Sequence, residues 1–463
     1  MSGVAVSLMC RLWRLLPERP RCWLYRSVNA VWWRSKARCW QFHDTFRDLA
    51  WRQGYRVRAV RPRRSGDAAS RTVLHVTSSF DLGGTQTQIK HLCTAAPTRF
   101  HHRAAEIFPE INYLYRRGVT LDRSRYSGSA LFGDWLADLI ANPNWRSSQL
   151  VQIYKVYRDI QAERPAIVVG WGHEMCVTTF LAAALAGTPT IVFCIRTVNP
   201  TYGWSAPPLP ELLLAAHRGM RRYVDAMIVN STLLQQDHAA WAGIPPQIIE
   251  VCPNGITATR LPSQEEAAAR ARVRASYGIA DGATVILNVG RFSMEKGQPS
   301  LVEANRRLRQ LKGLRPFVFL MCGDGATLEE VKASAASMDN MIFAGRTDRV
   351  AEFLAAADIF VMPSDFEGMP NAMMEAMAAG LPCISTNRSG ALDVARHERE
   401  ALYYEPRDAA GLARHLERWL QNPAEARAFG EAAARRITEF SVDRFVERFE
   451  RILDETRSAG VKA

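Results

Sequence analysis

Three features that mark common protein classes are missing from this sequence of 463 residues. No run approaches the roughly 18 consecutive apolar residues that a membrane-spanning helix requires. The nine cysteines lie far apart and form no Cys-x-x-Cys pair, so neither a disulfide framework nor a structural zinc site is indicated. The first residues lack the basic segment and the apolar core of a secretory signal peptide. These absences favour a cytoplasmic chain with reduced thiols.

Acidic residues are scarce at the amino-terminal end. Residues Met1–Ser70 contain 15 Lys and Arg against four Asp and Glu, so this extension carries +11 of the total net charge of +13. It also contains six of the 12 Trp. The rest of the chain is almost neutral and offers no continuous basic stripe for nucleic acid. The length and the apolar fraction of 48% indicate two or three globular cores.

Residues 21–42 of the extension can form a helix with an apolar and a basic face. Leu24 and Val28 fall on one side at 100° per residue, whereas Arg26 and Arg34 fall on the other. Such a helix, with Trp at its boundary, fits an anionic membrane surface, where each cation contributes roughly 1 kcal/mol. A disordered segment, an organelle-targeting peptide and residues upstream of the true translation start are the alternatives.

After Ser70, short β-branched runs alternate with longer segments of helical period. This alternation predicts parallel sheets covered by helices. An aperiodic linker at residues 256–264 separates two such series, so we predict two doubly wound α/β units. The predicted strands are Thr72–Val76, Ile167–Val169, Ile191–Ile195, Ala226–Val229, Ile248–Cys252, Val285–Val289, Phe317–Met321, Met341–Phe343, Ile359–Met362 and Pro382–Ser385.

The segment Ser364–Gly380 follows a predicted strand and carries two carboxylates. Pro370 suits the first position of a helix and Gly380 its end, so the helix begins beside Glu367. Free backbone N–H groups and the helix dipole make that terminus an anion site. Because Glu367 and Glu375 would repel phosphate, their use beside an anion is to accept hydrogen bonds from sugar hydroxyls. The alternative is a solvated Glu followed by a helix with core methionines.

Gly290, Arg291 and Lys296 also follow a predicted strand. Gly290 permits a close backbone turn, and the two cations can neutralise a diphosphate leaving group without a metal. No Asp-x-Asp pair occurs in the chain, so a metal-dependent nucleotide-sugar site of that type has no support. Gly323-Asp-Gly325 follows another strand but lacks the third glycine of a dinucleotide fingerprint. A surface turn with a charge pair is the alternative for the first segment.

Five motifs on predicted strand ends together resemble glycosyltransferase family 4, which has the GT-B fold of two Rossmann-like domains facing each other across a cleft. The resemblance covers residue 71 to about residue 460. It implies an acceptor domain at residues 71–260, completed by a helix at about 441–457, and a nucleotide-sugar domain at 261–440. The motifs are Gly83-Gly84, Val229-Asn-Ser231, Val251-Cys-Pro-Asn-Gly255, Gly290-Arg291 with Glu295-Lys-Gly297, and the pair Glu367 and Glu375.

The resemblance also implies a retaining, metal-independent transfer in which the nucleotide-sugar, by default a UDP-sugar, is a co-substrate and no cofactor is needed. Glu367 would hold hydroxyls of the transferred sugar, and Arg291 and Lys296 would contact the diphosphate. Glu375 would hold the ribose. The residues expected to contact the donor are Gly83, Gly84, Gly290, Gly323, Gly345, Arg346, Gly368, Met369, Pro370, Asn371 and Glu375.

The sequence departs from the family at two positions. Arg196 stands where many members have a His near the reacting sugar; an Arg stays protonated and cannot be a general base, but it can bind phosphate or orient hydroxyls. We expect Arg196 to contact donor or acceptor oxygens and to act as a catalytic residue. His173 and Asn254 are acceptor-side candidates, although a structural, hydrogen-bonded role fits His173 equally well. Thr257 replaces the usual Asp after the Asn-Gly pair, so no role is transferred to it.

These observations predict an enzyme that extends a saccharide or a lipid-linked saccharide in polysaccharide or glycolipid biosynthesis. We expect it in the cytoplasm, with residues 1–70 as a peripheral contact to the membrane. A first alternative is a sugar-nucleotide-binding protein without turnover. A second is a nucleic-acid-binding protein that uses the Arg and Trp residues of the extension for backbone contacts and stacking.

Overall fold

The computed structural model describes residues 70–78, 83–95, 98–106, 149–188, 190–202, 213–214, 217–218, 220–221, 224–257 and 260–462. They form two parallel six-stranded sheets with interleaved helices, which confirms the predicted fold class. Among these residues, no helix combines the length and the apolarity that crossing a bilayer requires. The basic helix predicted at residues 21–42 lies outside the described ranges.

The first unit is built on a sheet with the strand order β2-β1-β3-β4-β5-β6. Alternate residues of its strands enter two cores: Leu74 and Val76 face one side, and Val73 faces the other. Because both faces are covered, the central strands are mostly apolar, with His75 of β1 as a buried exception. The elements are β1 (Thr72–Thr77), α1 (Gly84–Thr94), β2 (His101–Glu106), α2 (Gln149–Glu163), β3 (Ile167–Trp171), α3 (His173–Ala186), β4 (Thr190–Ile195), β5 (Ala226–Val229), α4 (Thr232–Ala242) and β6 (Ile249–Val251).

The second unit has the strand order β12-β11-β10-β7-β8-β9. Its central strands are also buried on both faces. The elements are α5 (Ser263–Ser276), β7 (Thr284–Val289), α6 (Pro299–Leu308), β8 (Phe317–Cys322), α7 (Leu328–Ser334), β9 (Met341–Gly345), α8 (Val350–Ala356), β10 (Ile359–Met362), α9 (Asn371–Ala378), β11 (Cys383–Thr386), α10 (Ala391–Val394), β12 (Ala401–Tyr404), α11 (Ala409–Gln421), α12 (Pro423–Ile437) and α13 (Val442–Lys462).

The last helix, α13, returns to the first unit. Phe445, Phe449 and Leu453 are buried there in the same core as Val73 of β1. Its buried Glu450 accepts hydrogen bonds from the backbone N–H groups before β2 and from the His102 ring, at 3.0 to 3.1 Å. The chain crosses between the units at Ile256 and Ser441, which form a parallel bridge.

Two strands have no counterpart among the sequence predictions. The β2 sequence is polar because β2 is an edge strand: His101 and Arg103 are exposed. His102 is buried, and its ring nitrogens form hydrogen bonds with His75 and Glu450. β12 has four residues and follows a turn of charged residues, so its pattern is too short to stand out.

The structure corrects the predicted beginning of α9 and the predicted end of the linker. Pro370 is not the first helical residue of α9; its ψ of 95° is extended, so it precedes the helix as the N-cap. The predicted linker 256–264 is shorter, because α5 begins at Ser263, where acidic side chains in the first turn favour a helix start.

Candidate active site

A cavity of about 450 Å³ lies between the two units, at the carboxyl ends of their strands. Ligands of open parallel sheets bind at this edge. Six residues singled out in the sequence line the cavity together: His173, Arg196, Arg291, Lys296, Glu367 and Gly368.

Glu367 and Lys296 are in direct contact. The Lys296 ammonium donates a hydrogen bond to the Glu367 carboxylate, and the Ser364 hydroxyl donates a second at 3.0 Å. Gly297 permits this approach: its φ is +65°, and a Cβ there would lie 2.1 Å from the Pro363 carbonyl oxygen at the end of β10. The two loops therefore bring a carboxylate and a cation from distant parts of the sequence to one wall of the cavity.

Arg291 reaches the cavity from the same loop as Lys296. Its guanidinium Nη2 lies 3.2 Å from Glu295 Oε1, and 71% of the side chain is exposed. The Ser293 hydroxyl also donates to Glu295, at 2.5 Å. Burial alone would raise the pKa of Glu295, but this hydroxyl, a backbone N–H and the two nearby cations lower it below its usual value. Arg291 therefore remains open to an anion while a charged Glu295 orients it.

Helix α9 begins beside Glu367 and carries Glu375 on its second turn. Burial raises the pKa of Glu375 to about 7. Ahead of the helix, a Cβ on Gly368 would lie 2.3 Å from the Arg196 carbonyl oxygen, so the two units touch closely there. Met369 is buried.

Asn371 connects three predicted site segments at the start of α9. Its side-chain oxygen accepts a hydrogen bond from Asn254 Nδ2 at 2.7 Å, and its Nδ2 donates to the Gly84 carbonyl oxygen at 3.3 Å. The Asn254 backbone N–H approaches Met369 Sδ at 3.1 Å. The structure thus places Asn254 against the helix of the second unit, and the Gly83-Gly84 turn approaches the same helix end.

The Arg196 guanidinium contacts other residues of the protein. Its Nη1 donates to the Cys252 carbonyl oxygen at 3.0 Å and to Asn254 Oδ1 at 2.9 Å, and its guanidinium lies 4.9 Å from the centroid of the Trp171 ring. Its Nε and Nη2 are buried and have no hydrogen-bond partner among the described residues. A contact of these two nitrogens with substrate oxygens stays a prediction.

His173 begins α3 and packs into a buried group of rings. Its ring centroid lies 5.5 Å from that of His217, 5.7 Å from that of His238 and 5.3 Å from that of Trp241. Burial, followed by the two neighbouring histidines, lowers its pKa well below 6.5. The ring is therefore neutral at physiological pH. This burial fits the structural alternative, and an acceptor-side role stays a prediction.

The remaining predicted donor residues lie along the same sheet edge but do not line the cavity. Gly323 has φ of +143°, and a Cβ there would lie 1.9 Å from the Gly290 carbonyl oxygen, so the ends of β7 and β8 pack tightly. The Gly323 N–H donates to the carbonyl oxygen of Gly345, which ends β9, and the exposed Arg346 follows.

Some cavity residues carry no motif in the sequence. Ser78 follows β1, Glu174 lies in the first turn of α3, and Asn199 follows β4. Burial raises the pKa of Glu174. Their position just after strands is the one feature of the sequence from which they could have been predicted. In the part of the chain that the structure describes, no three His, Cys, Asp or Glu side chains are grouped so that they could hold a metal ion.

Comparisons with known proteins agree with this geometry. A family model described as Glycosyltransferase Family 4 matches residues 82–260, and one described as Glycosyl transferases group 1 matches residues 269–436. A putative glycosyltransferase, EpsF of Bacillus subtilis, is 25% identical over 327 residues, which cover 69% of this chain and 79% of EpsF.

A second relative is the Escherichia coli UDP-Gal:alpha-D-GlcNAc-diphosphoundecaprenol alpha-1,3-galactosyltransferase. It is 25% identical over 277 residues, which cover 56% of this chain and 66% of that enzyme. The matched region spans about half the length of two other curated relatives.

Among solved structures, Anabaena HepE in complex with UDP and glucose superposes with a TM-score of 0.68 at 17% identity, covering 82% of this chain and 99% of HepE. This likeness concerns the fold. Two family models matched in order over most of the chain, together with the GT-B fold, lead to one conclusion: the protein is a member of glycosyltransferase family 4.

Proposed function

We propose that the protein is a retaining glycosyltransferase that moves a sugar from a nucleotide-sugar, by default a UDP-sugar, to a saccharide or a lipid-linked saccharide. The main support for this proposal is the contact of Glu367 with Lys296 in the cavity between the two units. Two relatives support the substrate classes: the Escherichia coli enzyme is named for a UDP-sugar and a diphosphoundecaprenol acceptor, and HepE was solved with UDP and glucose.

The donor is proposed to lie across the amino end of α9. Arg291 and Lys296 bind the diphosphate, and the backbone N–H groups of Gly368, Met369 and Asn371 add the positive end of a helix dipole. The Glu367 carboxylate accepts hydrogen bonds from hydroxyls of the transferred sugar. Glu375 accepts hydrogen bonds from the ribose. This arrangement assigns the two cations to the phosphates and the two carboxylates to the hydroxyl groups, so that no like charges are paired.

The proposed reaction is a same-face displacement. The acceptor hydroxyl oxygen forms a bond to the anomeric carbon while the bond from that carbon to the diphosphate oxygen breaks. The hydroxyl proton passes to an oxygen of the departing diphosphate, and the configuration of the anomeric carbon is kept. Arg291 and Lys296 stabilise the negative charge that develops on the diphosphate, which is why we propose that the transfer needs no metal ion.

The cellular role is proposed to be polysaccharide or glycolipid assembly in the cytoplasm. The +11 charge of residues 1–70 matches the charge of an anionic membrane surface, where a lipid-linked acceptor would be anchored. The extension would then raise the local concentration of the enzyme beside its acceptor.

A thermal-shift screen of UDP-, GDP- and ADP-sugars tests the proposal. A ligand at 100 times its Kd stabilises a protein by roughly 2.7 kcal/mol, so the true donor raises the melting temperature measurably. Lys296→Ala removes this shift, whereas Lys332→Ala, which removes a lysine from a surface pair with Glu329, keeps it. No shift with any sugar nucleotide would contradict the proposal. A shift without turnover would favour the alternative of a binding protein.

A further inference from the structure

Arg407 has a backbone conformation that a side chain disfavours. It lies in the turn between β12 and α11 and has φ of +66°, in the left-handed region where glycine is preferred. Among the described non-glycine residues, only Arg164 and Glu398 share a positive φ. Since glycine would adopt this turn without strain, the Arg407 side chain has a role that offsets the strain.

The Arg407 guanidinium binds a buried carboxylate. Its Nε and Nη2 donate to Asp365 Oδ2 at 2.9 and 2.7 Å. Asp365 is 3% exposed, and its Oδ1 is buried without a hydrogen-bond partner in the described part of the chain. A buried carboxylate needs a cation, since burying an unpaired charge is strongly unfavourable. In the described structure, Arg407 is the only cation in an ion pair with Asp365.

Asp365 lies in the loop that carries Glu367, and hydrogen bonds fix this loop from several sides. The Asp365 N–H donates to the Glu295 carbonyl oxygen at 2.8 Å, which joins the loop to the one that carries Arg291 and Lys296. The Gly390 N–H donates to the Glu367 carbonyl oxygen at 3.1 Å. Neither Asp365 nor Arg407 lines the cavity, so the ion pair of their side chains supports the loop of Glu367 from outside the cavity.

We propose that Arg407 and Asp365 are positioning residues for the donor sugar. Their ion pair holds residues 364–368 so that the Glu367 carboxylate meets the sugar hydroxyls, while the nucleotide is held by other residues. The inference rests on the proposed function, and it predicts a separate result. Loss of the ion pair weakens binding of the sugar more than binding of the nucleoside diphosphate.

The test compares Kd values of UDP-glucose and of UDP by titration calorimetry, or of the equivalent pair selected by the donor screen. In Arg407→Gly and Asp365→Asn, the Kd of the sugar nucleotide rises about tenfold, whereas that of the free nucleotide changes less than about twofold. Arg407→Lys, which keeps the charge, restores part of the loss. Glycine relieves the strained φ, and asparagine is isosteric, so both variants are expected to fold.

Glu398→Gly is the matched control. It also removes a side chain at positive φ, 57°, and an ion pair in the same unit, that with Arg418 at 2.7 Å. Unchanged sugar-nucleotide binding in Arg407→Gly, equal weakening of UDP and UDP-glucose, or the same effect in Glu398→Gly would each overturn the inference.

A second measurement needs no nucleotide and separates the inference from the proposed function. Amide hydrogen exchange of a peptide that covers residues 364–369 is compared in the wild type and in Arg407→Gly. We expect about tenfold faster exchange in Arg407→Gly and no change in Glu398→Gly, because the loop opens locally without its anchor. Unchanged exchange would refute the positioning role even if no sugar nucleotide bound to the protein.

Discussion

Replacing Glu367 with Ala removes the carboxylate that the proposed reaction uses to hold the donor sugar. A hydrogen bond to a charged group contributes roughly 1.5–3 kcal/mol. Glu367 has one oxygen in contact with Lys296 and Ser364, and it retains acceptor capacity for two sugar hydroxyls. Loss of two such bonds costs roughly 3–6 kcal/mol, which corresponds to a decrease in kcat/KM of about 150- to 25,000-fold.

The assay measures kcat/KM for the donor from initial rates of nucleoside diphosphate release, beside a thermal melt of each variant. Glu367→Gln keeps the size of the side chain and is expected to lose less activity than Glu367→Ala. Glu329→Ala is the control, since that side chain is 83% exposed and pairs with Lys332 on the surface. A folded Glu367→Ala protein that turned over at the wild-type rate would refute the assignment of this carboxylate.

Two further predictions concern pH and the membrane. Because burial raises the pKa of Glu375 to about 7, its carboxylate becomes protonated as the pH falls below 7 and can no longer accept hydrogen bonds from a ribose through a charged oxygen. Nucleotide affinity measured by calorimetry therefore decreases by up to about tenfold per pH unit below 7, and a profile that stays equally steep in Glu375→Gln would contradict this role. Deleting residues 1–70 is expected to reduce binding to anionic liposomes at low salt without changing nucleotide affinity, and equal liposome binding by both chains would exclude the extension as a membrane contact.

Strand and helix patterns predict most of the fold, because buried parallel strands are mostly apolar and differ in pattern from the helices. β5 and β10 have the predicted bounds, Ala226–Val229 and Ile359–Met362. β2 escapes prediction because its buried His102 depends on Glu450, 348 residues later in the chain. The sequence around β2 alone therefore does not show that His102 has a buried partner.

The candidate site is predictable to the extent that its residues directly follow strands. Glu367, Arg291 and Lys296 follow β10 and β7, which are neighbours in the sheet, so their loops lie side by side. The support behind this site is not predictable in the same way. The ion pair of Asp365 with Arg407 joins the turns after β10 and β12, which are not adjacent strands, and Arg407 stands at a position whose φ predicts glycine.

Proton NMR of the reaction with the donor that the screen identifies tests whether the sugar transfer keeps the anomeric configuration. Water can serve as the acceptor, so the first sugar released reports the stereochemistry before its anomers equilibrate. From an α-linked donor, we expect the α-anomer to appear first, together with the nucleoside diphosphate. Initial release of the β-anomer would contradict retention, and the absence of nucleoside diphosphate would contradict transfer from a nucleotide-sugar.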